Sequence, residues 1–265
     1  DGGDELFAGN ARYARQWLLS LYTRLPQGLR AGLLEPAGRL PGADRLPPLR
    51  KLNRYIEQAT APLPQRLQAF NLLADVGADR LFTGEFLAAI QPERPAADLE
   101  WTYNRIGASA LVNRLLALDM KFTLADDDLR KVMGAGELAG VETRFPFLDD
   151  AVVTLAGTVP ASLKLRRGRL RYFFKRALRD YLPPEIRRKR KQGFGLPFGV
   201  WLTTEPELRE LAGDSLSGLA GRGILRPEVL NELLEHRLRQ HPGHYGTLVW
   251  VLMMLEQWFR SRSSG

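Results

Sequence analysis

The sequence predicts a mainly α fold, and three observations carry that reading. Apolar residues recur at three- and four-residue spacing through most of the chain, as on helices with one buried face. Prolines and glycines fall mostly between those segments rather than inside them. Period-two alternation, the mark of a half-buried strand, is almost absent.

The elements follow in chain order. Asn10 to Leu25, "NARYARQWLLSLYTRL", has an asparagine able to cap its start and Pro26 just past its end. Gly28 to Pro48 is interrupted by Gly32, Pro36, Pro41, Pro47 and Pro48, and reads as a short helix followed by a surface loop. Leu49 to Ala59 and Leu63 to Ala74 read as two further helices, with Pro62 and Pro64 marking their junction. Ala78 to Ile90 is the next helix, followed by a loop from Gln91 to Pro95. Ser109 to Met133 is helical on both sides of a break expected near Thr123 to Asp126. "VLNELLEHRLRQ" and "YGTLVWVLMMLEQWFRS" form the last two helices, and "SRSSG" is a loose tail. No repeat, low-complexity block or clear domain boundary stands out.

Composition bounds the function. The 265 residues are 45% hydrophobic and 26% charged, ordinary for a soluble globular protein. With no cysteine, disulfides, thiolate metal sites and a cysteine nucleophile are excluded within these residues. The acidic, glycine-rich start is the opposite of a secretory leader, and the cytoplasm is the expected compartment. The longest apolar run, Thr247 to Phe259, is interrupted by Glu256 and falls short of the about 20 residues that span a bilayer. A balance of 38 Lys+Arg against 30 Asp+Glu, net +8, points to polyanions or to a high-GC genome, which enriches Arg, Ala, Leu and Gly together.

Three stretches can carry chemistry. "DGGDELFAG", Asp1 to Gly9, combines glycines that let a backbone approach an anion with acids of the kind that share Mg²⁺ with phosphates. The same composition also suits a solvated tip. "GVETRFPFLDD", Gly140 to Asp150, sets Glu142 and Arg144 in a short segment anchored by Phe145, Phe147 and Leu148. Its acid and base either face a cleft or pair with each other. The basic stretch Leu163 to Leu202 starts a helix with Arg171, Tyr172, Lys175 and Arg176, where positive charge opposes the helix dipole. A polyphosphate ligand, nucleic acid stacking on Tyr172, Phe173 and Phe174, or a solvated basic face would each account for it. His236, His241 and His244 lack a metal-ligand spacing.

Taken in order, these stretches resemble the glutamine-dependent asparagine synthetase family. "DGGDELFAG" is similar to its S-G-[DE]-G-[GS]-D-E-[LIV]-F-G-G-Y segment, and "VETRFPFLD" to its [LV]-E-x-R-x-P-F-L-D. "RYFFKRAL", "LPPEI" and "KRKQGFGLPFGVWL" resemble the K-[YH]-x-L-R-x-A-[LF], LP-x-x-[IV] and R-x-K-x-G-F-x-x-P-x-x-x-W-L region, and "LVWVLMMLEQWF" the closing helix. The resemblance implies the C-terminal helical part of an adenine nucleotide α-hydrolase-like, pyrophosphatase-loop α/β synthetase domain. Its cofactors are ATP and Mg²⁺, and its reaction adenylates a carboxylate, aspartate in asparagine biosynthesis. A separate glutaminase domain supplies the ammonia, which makes the parent a carbon–nitrogen ligase with glutamine as amido donor.

Carried over by position, Asp1 and Glu142 are the implied catalytic residues. Asp4, Glu5, Arg171 and Lys191 are implied at the cofactor, Asp4 also at the metal, and Arg144 at the substrate. Arg171 stands where the family has lysine, and Lys189 where arginine is usual. In "KVMGAGELAGVE" the family's Asp-Arg pair is replaced by Met133 and Gly134, which opens an alternative: an amide- or lactam-forming relative acting on another carboxylate. The S-G-G-x-D-S nucleotide signature and the glutaminase cysteine are not in these residues. Residues 1–265 are therefore expected to be the C-terminal portion of one synthetase domain, inactive alone in glutamine hydrolysis and adenylation. A basic nucleic-acid-binding module is the reading from a different class; a homodimer is left open.

Overall fold

The computed structural model describes residues 1–38, 46–68, 73, 76–189 and 195–263. Helices dominate, and among the described residues the only β contacts are the isolated bridges Phe82–Leu225 and Arg166–Arg169. No helix among them is long and apolar enough to cross a membrane. The chain divides into two compact units, each discontinuous: residues 1–66 with 96–191, and 67–95 with 192–265. Composition marks no boundary because each unit is closed by segments distant in the chain.

In the first unit the sequence signals act locally as expected. Asn10 accepts a hydrogen bond from the Arg12 amide and starts the helix Ala11–Arg24, which stops before Pro26. That helix packs Leu19 and Tyr22 against Ala59 of the helix Pro47–Thr60, with Tyr22 and Tyr55 ring centroids 6.0 Å apart. The break expected near Thr123 to Asp126 is instead a wider, π-helical stretch, Met120–Asp128, which joins Leu111–Asp119 to Leu129–Leu138. Lys121 reaches Asp126, five residues on, at 2.8 Å, and Lys131 pairs with Asp127 and Asp128, so the three aspartates are accommodated without a turn.

Two more expectations change in detail. Ala78 to Ile90 is divided into Ala78–Leu81 and Gly84–Ala89, because the Thr83 hydroxyl accepts from the Phe86 amide and starts a new helix. The loop expected up to Pro95 ends earlier: a helix runs Arg94–Arg105, with Pro95 in its first turn, where a missing N–H costs nothing. Of the helix expected over Leu63 to Ala74, Gln65–Gln68 form a 3-10 turn, and residues 69–72 and 74–75 lie outside the described residues.

The second unit packs Phe198–Thr204 and Pro206–Gly221 against the long helix Pro242–Ser263. Leu202, Leu216, Leu219, Leu225 and Val249 are fully buried there, and the Phe198 and Trp250 rings stack at 4.0 Å. Gly199 and Gly246 make the close crossing: a Cβ on Gly199 would lie 1.8 Å from the Pro242 carbonyl oxygen, and one on Gly246 would lie 2.3 Å from the Gly199 Cα. Glu256, which interrupts the apolar run, is the centre of an ion-pair network. Its side chain, 3% exposed, accepts from Arg222 at 2.7 Å and Arg260 at 2.9 Å, and Arg260 also holds Asp214. Burial pushes the Glu256 carboxyl up, but the two arginine hydrogen bonds outweigh it and hold the group below its ordinary value.

Gly199→Ala is expected to cost at least about 2 kcal/mol in chemical denaturation, because backbone must move. Gly134→Ala, whose Cβ meets nothing within 4 Å inside a helix, should stabilise by about 0.5–1 kcal/mol. Glu256→Gln should cost about 2 kcal/mol at neutral pH, discounted because both arginines are about one-third exposed. Since the native carboxyl lies below its unfolded value, its contribution is complete above that value and lost as pH falls through the native one. The gap between wild type and Glu256→Gln should therefore close on acidification, read from denaturation midpoints between neutral and about pH 3.

Candidate functional site

The site lies in the first unit and starts at the opening turn. Gly2 has φ 92°, a left-handed conformation that strains any side chain, and a Cβ there would stand 2.6 Å from Leu148 Cδ2. The short helix Gly3–Phe7 follows and ends at Ala8, with φ 56°. Phe7 is buried among three other rings: Phe147 at 6.5 Å, Phe173 at 6.2 Å and Phe174 at 5.2 Å. Each ring belongs to one of the three stretches singled out in the sequence, so one aromatic cluster brings all three together. Phe173 and Phe174 are thereby committed to packing rather than to stacking on a ligand.

Polar contacts add to that cluster. The Arg171 amide donates to the Ala8 carbonyl at 3.2 Å, and the Arg171 guanidinium donates through Nε and Nη2 to Asp4 Oδ1, the Nε contact at 3.0 Å. Arg171 itself sits at φ 53°, a conformation costing a non-glycine residue about 1 kcal/mol or more. Gly9 permits this approach, since a Cβ there would lie 1.8 Å from Asp4 Oδ1 and 2.4 Å from Arg171 Nε. Asp4 and Arg171 keep 19% and 30% side-chain exposure, so the pair still meets solvent.

Glu5, by contrast, is an interior residue, 6% exposed. Burial pushes its carboxyl up, opposed by a backbone hydrogen bond and assisted by the nearby Asp4 and Asp119 carboxylates. Arg12 pairs with Asp119 at 2.7 Å and donates to Thr123 at 2.9 Å. Burial, then the Asp119 charge, pushes the Tyr13 phenol far up, so Tyr13 stays neutral. Glu5 belongs with these supporting groups.

A cavity of about 1090 Å³ opens beside the Asp4–Arg171 pair, lined by Gly9, Ala11, the segment from Gly168 to Tyr172, Lys175, Arg176, Arg179 and Arg187 to Lys189. Eight of its lining residues are cationic and none is acidic. Tyr172 stands in its wall with Arg166 over the ring, 4.8 Å from the centroid. Hydrogen bonds from Arg176 and Arg166 reach the Tyr172 hydroxyl and pull its proton affinity down, the Arg176 contact acting most. The buried Arg187 Nε has no hydrogen-bond partner.

The other sequence candidates fall as follows. Asp1 is exposed at the start of the turn. Glu142 and Arg144 are exposed and pair with each other at 2.8 Å, the self-paired alternative of the two that the sequence leaves open. Lys191 lies outside the described residues, and Lys189 lines the cavity. Among the described residues no group of three His, Asp or Glu could cage a metal. The unpartnered Arg187 donor is invisible to sequence reading, because a basic run does not show which cation is turned inward.

A family model for asparagine synthase matches residues 1–260. The chain belongs to the asparagine synthase family. Among curated relatives, asparagine synthetase [glutamine-hydrolyzing] 1 of Bacillus subtilis is 27% identical over 263 residues, covering 97% of this chain and 39% of that protein. A putative asparagine synthetase [glutamine-hydrolyzing] of Mycobacterium tuberculosis is 27% identical over 268 residues, covering 97% and 38%. The chain thus spans about two fifths of the length of the curated relatives it matches. No solved structure matches it. The asparagine synthase match covers the opening turn, the Glu142–Arg144 segment and the basic stretch together.

Phe7→Ala should lower stability by about 3 kcal/mol in chemical denaturation, since it empties the centre of the aromatic cluster. Gly9→Ala should cost at least about 1 kcal/mol by forcing Asp4 and Arg171 apart.

Proposed function

We propose that these residues form the C-terminal helical part of an adenine nucleotide α-hydrolase-like synthetase domain in an ATP-dependent amidotransferase. The parent protein activates a substrate carboxylate as an acyl-adenylate and transfers glutamine-derived ammonia to it, in the cytoplasm. The observation that carries the reading is the partly exposed Asp4–Arg171 pair at the rim of a cavity lined by eight cations and no acid, within a chain of the asparagine synthase family.

The residues fit a diphosphate. A wall that gathers eight cations, Arg171 among them, and no carboxylate is the chemistry of a phosphate cradle. They also fit Mg²⁺, which takes one or two protein carboxylates and completes its shell with phosphate oxygens and water. Asp4 is the carboxylate for it, and a bound Mg²⁺ would neutralise charge on the diphosphate. Arg171 has the further task of holding negative charge as the diphosphate departs, its fork already set by the Ala8 and Asp4 contacts. Lys191 is assigned to the same anion. Arg144 would grip the substrate carboxylate by exchanging its exposed partner Glu142, which is then available to the amine step beside Asp1. Because Met133 and Gly134 replace the family's Asp-Arg pair, a carboxylate other than aspartate is the second reading, giving an amide or lactam product.

Carboxylate-dependent exchange of labelled diphosphate into ATP by the full-length protein tests the proposal. Arg171→Met should lower exchange by roughly 100-fold, and Arg171→Lys should recover part of it because charge is kept and the fork lost. Absence of exchange across a panel of carboxylic acids, aspartate included, would overturn the reading.

A further inference from the structure

The cavity carries more positive charge than a leaving diphosphate uses. Of its eight cations, Arg171 is matched by Asp4 and Arg179 by Asp180. Among the described residues the other six, Arg169, Lys175, Arg176, Arg187, Arg188 and Lys189, are in no ion pair. A diphosphate with one divalent cation brings about one to two net negative charges, and Arg171 already stands at it. Like charges gathered without counter-charge repel one another, and a buried guanidinium donor without a partner is destabilising. Arg187 Nε is such a donor and faces no protein acceptor.

We propose that this cavity binds a second phosphate group, carried by the carboxylate substrate itself, at Arg187 and Arg188. The inference rests on the synthetase reading and narrows its substrate to phosphate-bearing carboxylic acids. One phosphate brings nearly two negative charges and three acceptor oxygens, and a guanidinium fork matches it with two parallel bonds. The volume, about 1090 Å³, exceeds what a diphosphate alone occupies and is at the upper end of small-molecule sites. A concave site also favours a small ligand over a nucleic acid, for which Phe173 and Phe174 have less free ring face because both pack on Phe7.

Isothermal titration of the full-length protein, saturated with Mg²⁺-diphosphate, with 3-phosphoglycerate and with glycerate tests this. Phosphoglycerate should bind at least about tenfold more tightly than glycerate, and Arg187→Gln/Arg188→Gln should remove that preference while weakening diphosphate by less than about threefold. Equal binding of the two acids, or displacement of phosphoglycerate by diphosphate, overturns the inference alone when diphosphate binding is intact. Failure of Mg²⁺-diphosphate to bind overturns both this inference and the synthetase reading beneath it. A single-stranded oligonucleotide that binds more tightly than phosphoglycerate, with affinity falling steeply with salt, overturns it in favour of a nucleic-acid site.

Discussion

The first unit depends on the packing of Phe7. Its ring touches Phe147, Phe173 and Phe174, contributed by stretches about 140 and 170 residues away, and this packing draws the opening turn, the Glu142–Arg144 segment and the basic helix together. Non-directional apolar burial supplies the attraction, but it does not orient polar groups. Orientation comes from the Arg171 amide on Ala8 and the Arg171 fork on Asp4, a geometry that Gly9 alone leaves room for. The strain of Arg171 in the left-handed region is sustained by these contacts.

Charge is then distributed in two ways. On the Glu5 side, carboxylates and Tyr13 are buried around Arg12, and desolvation drives them toward their neutral forms. On the cavity side, cations gather with few acids to match them, which stabilises nothing by itself and makes the cavity receptive to an anion. The second unit uses charge differently. Glu256 is paired on both sides and fits beside Gly218, where a Cβ would come within 2.6 Å of its carboxylate. That network is structural, and it explains an acid inside the most apolar run of the chain.

Much of the fold was legible because its signals are local. Asn10 as a cap, Pro26 as a stop, and the apolar spacing of Ala11–Arg24 and Pro47–Thr60 act within a turn or two of themselves. Readings failed where a local signal was ambiguous. The aspartates after Thr123 looked like a break, yet they pair with Lys121 and Lys131 within a continuous helical stretch. Pro95 looked like a loop, yet it occupies the first turn of a helix, where it is welcome.

The sequence by itself determined the helical class, the order of the three chemistry-bearing stretches and the resemblance that the family match bears out. These are properties of short segments and of their order. Tertiary structure alone decided which members of those stretches face one another. It paired Asp4 with Arg171, buried Glu5, turned Glu142 onto Arg144 and left the Arg187 Nε donor buried without a partner. The physical reason is that burial and partner choice depend on which distant surfaces close over a side chain, and a residue's neighbours in sequence carry no record of that.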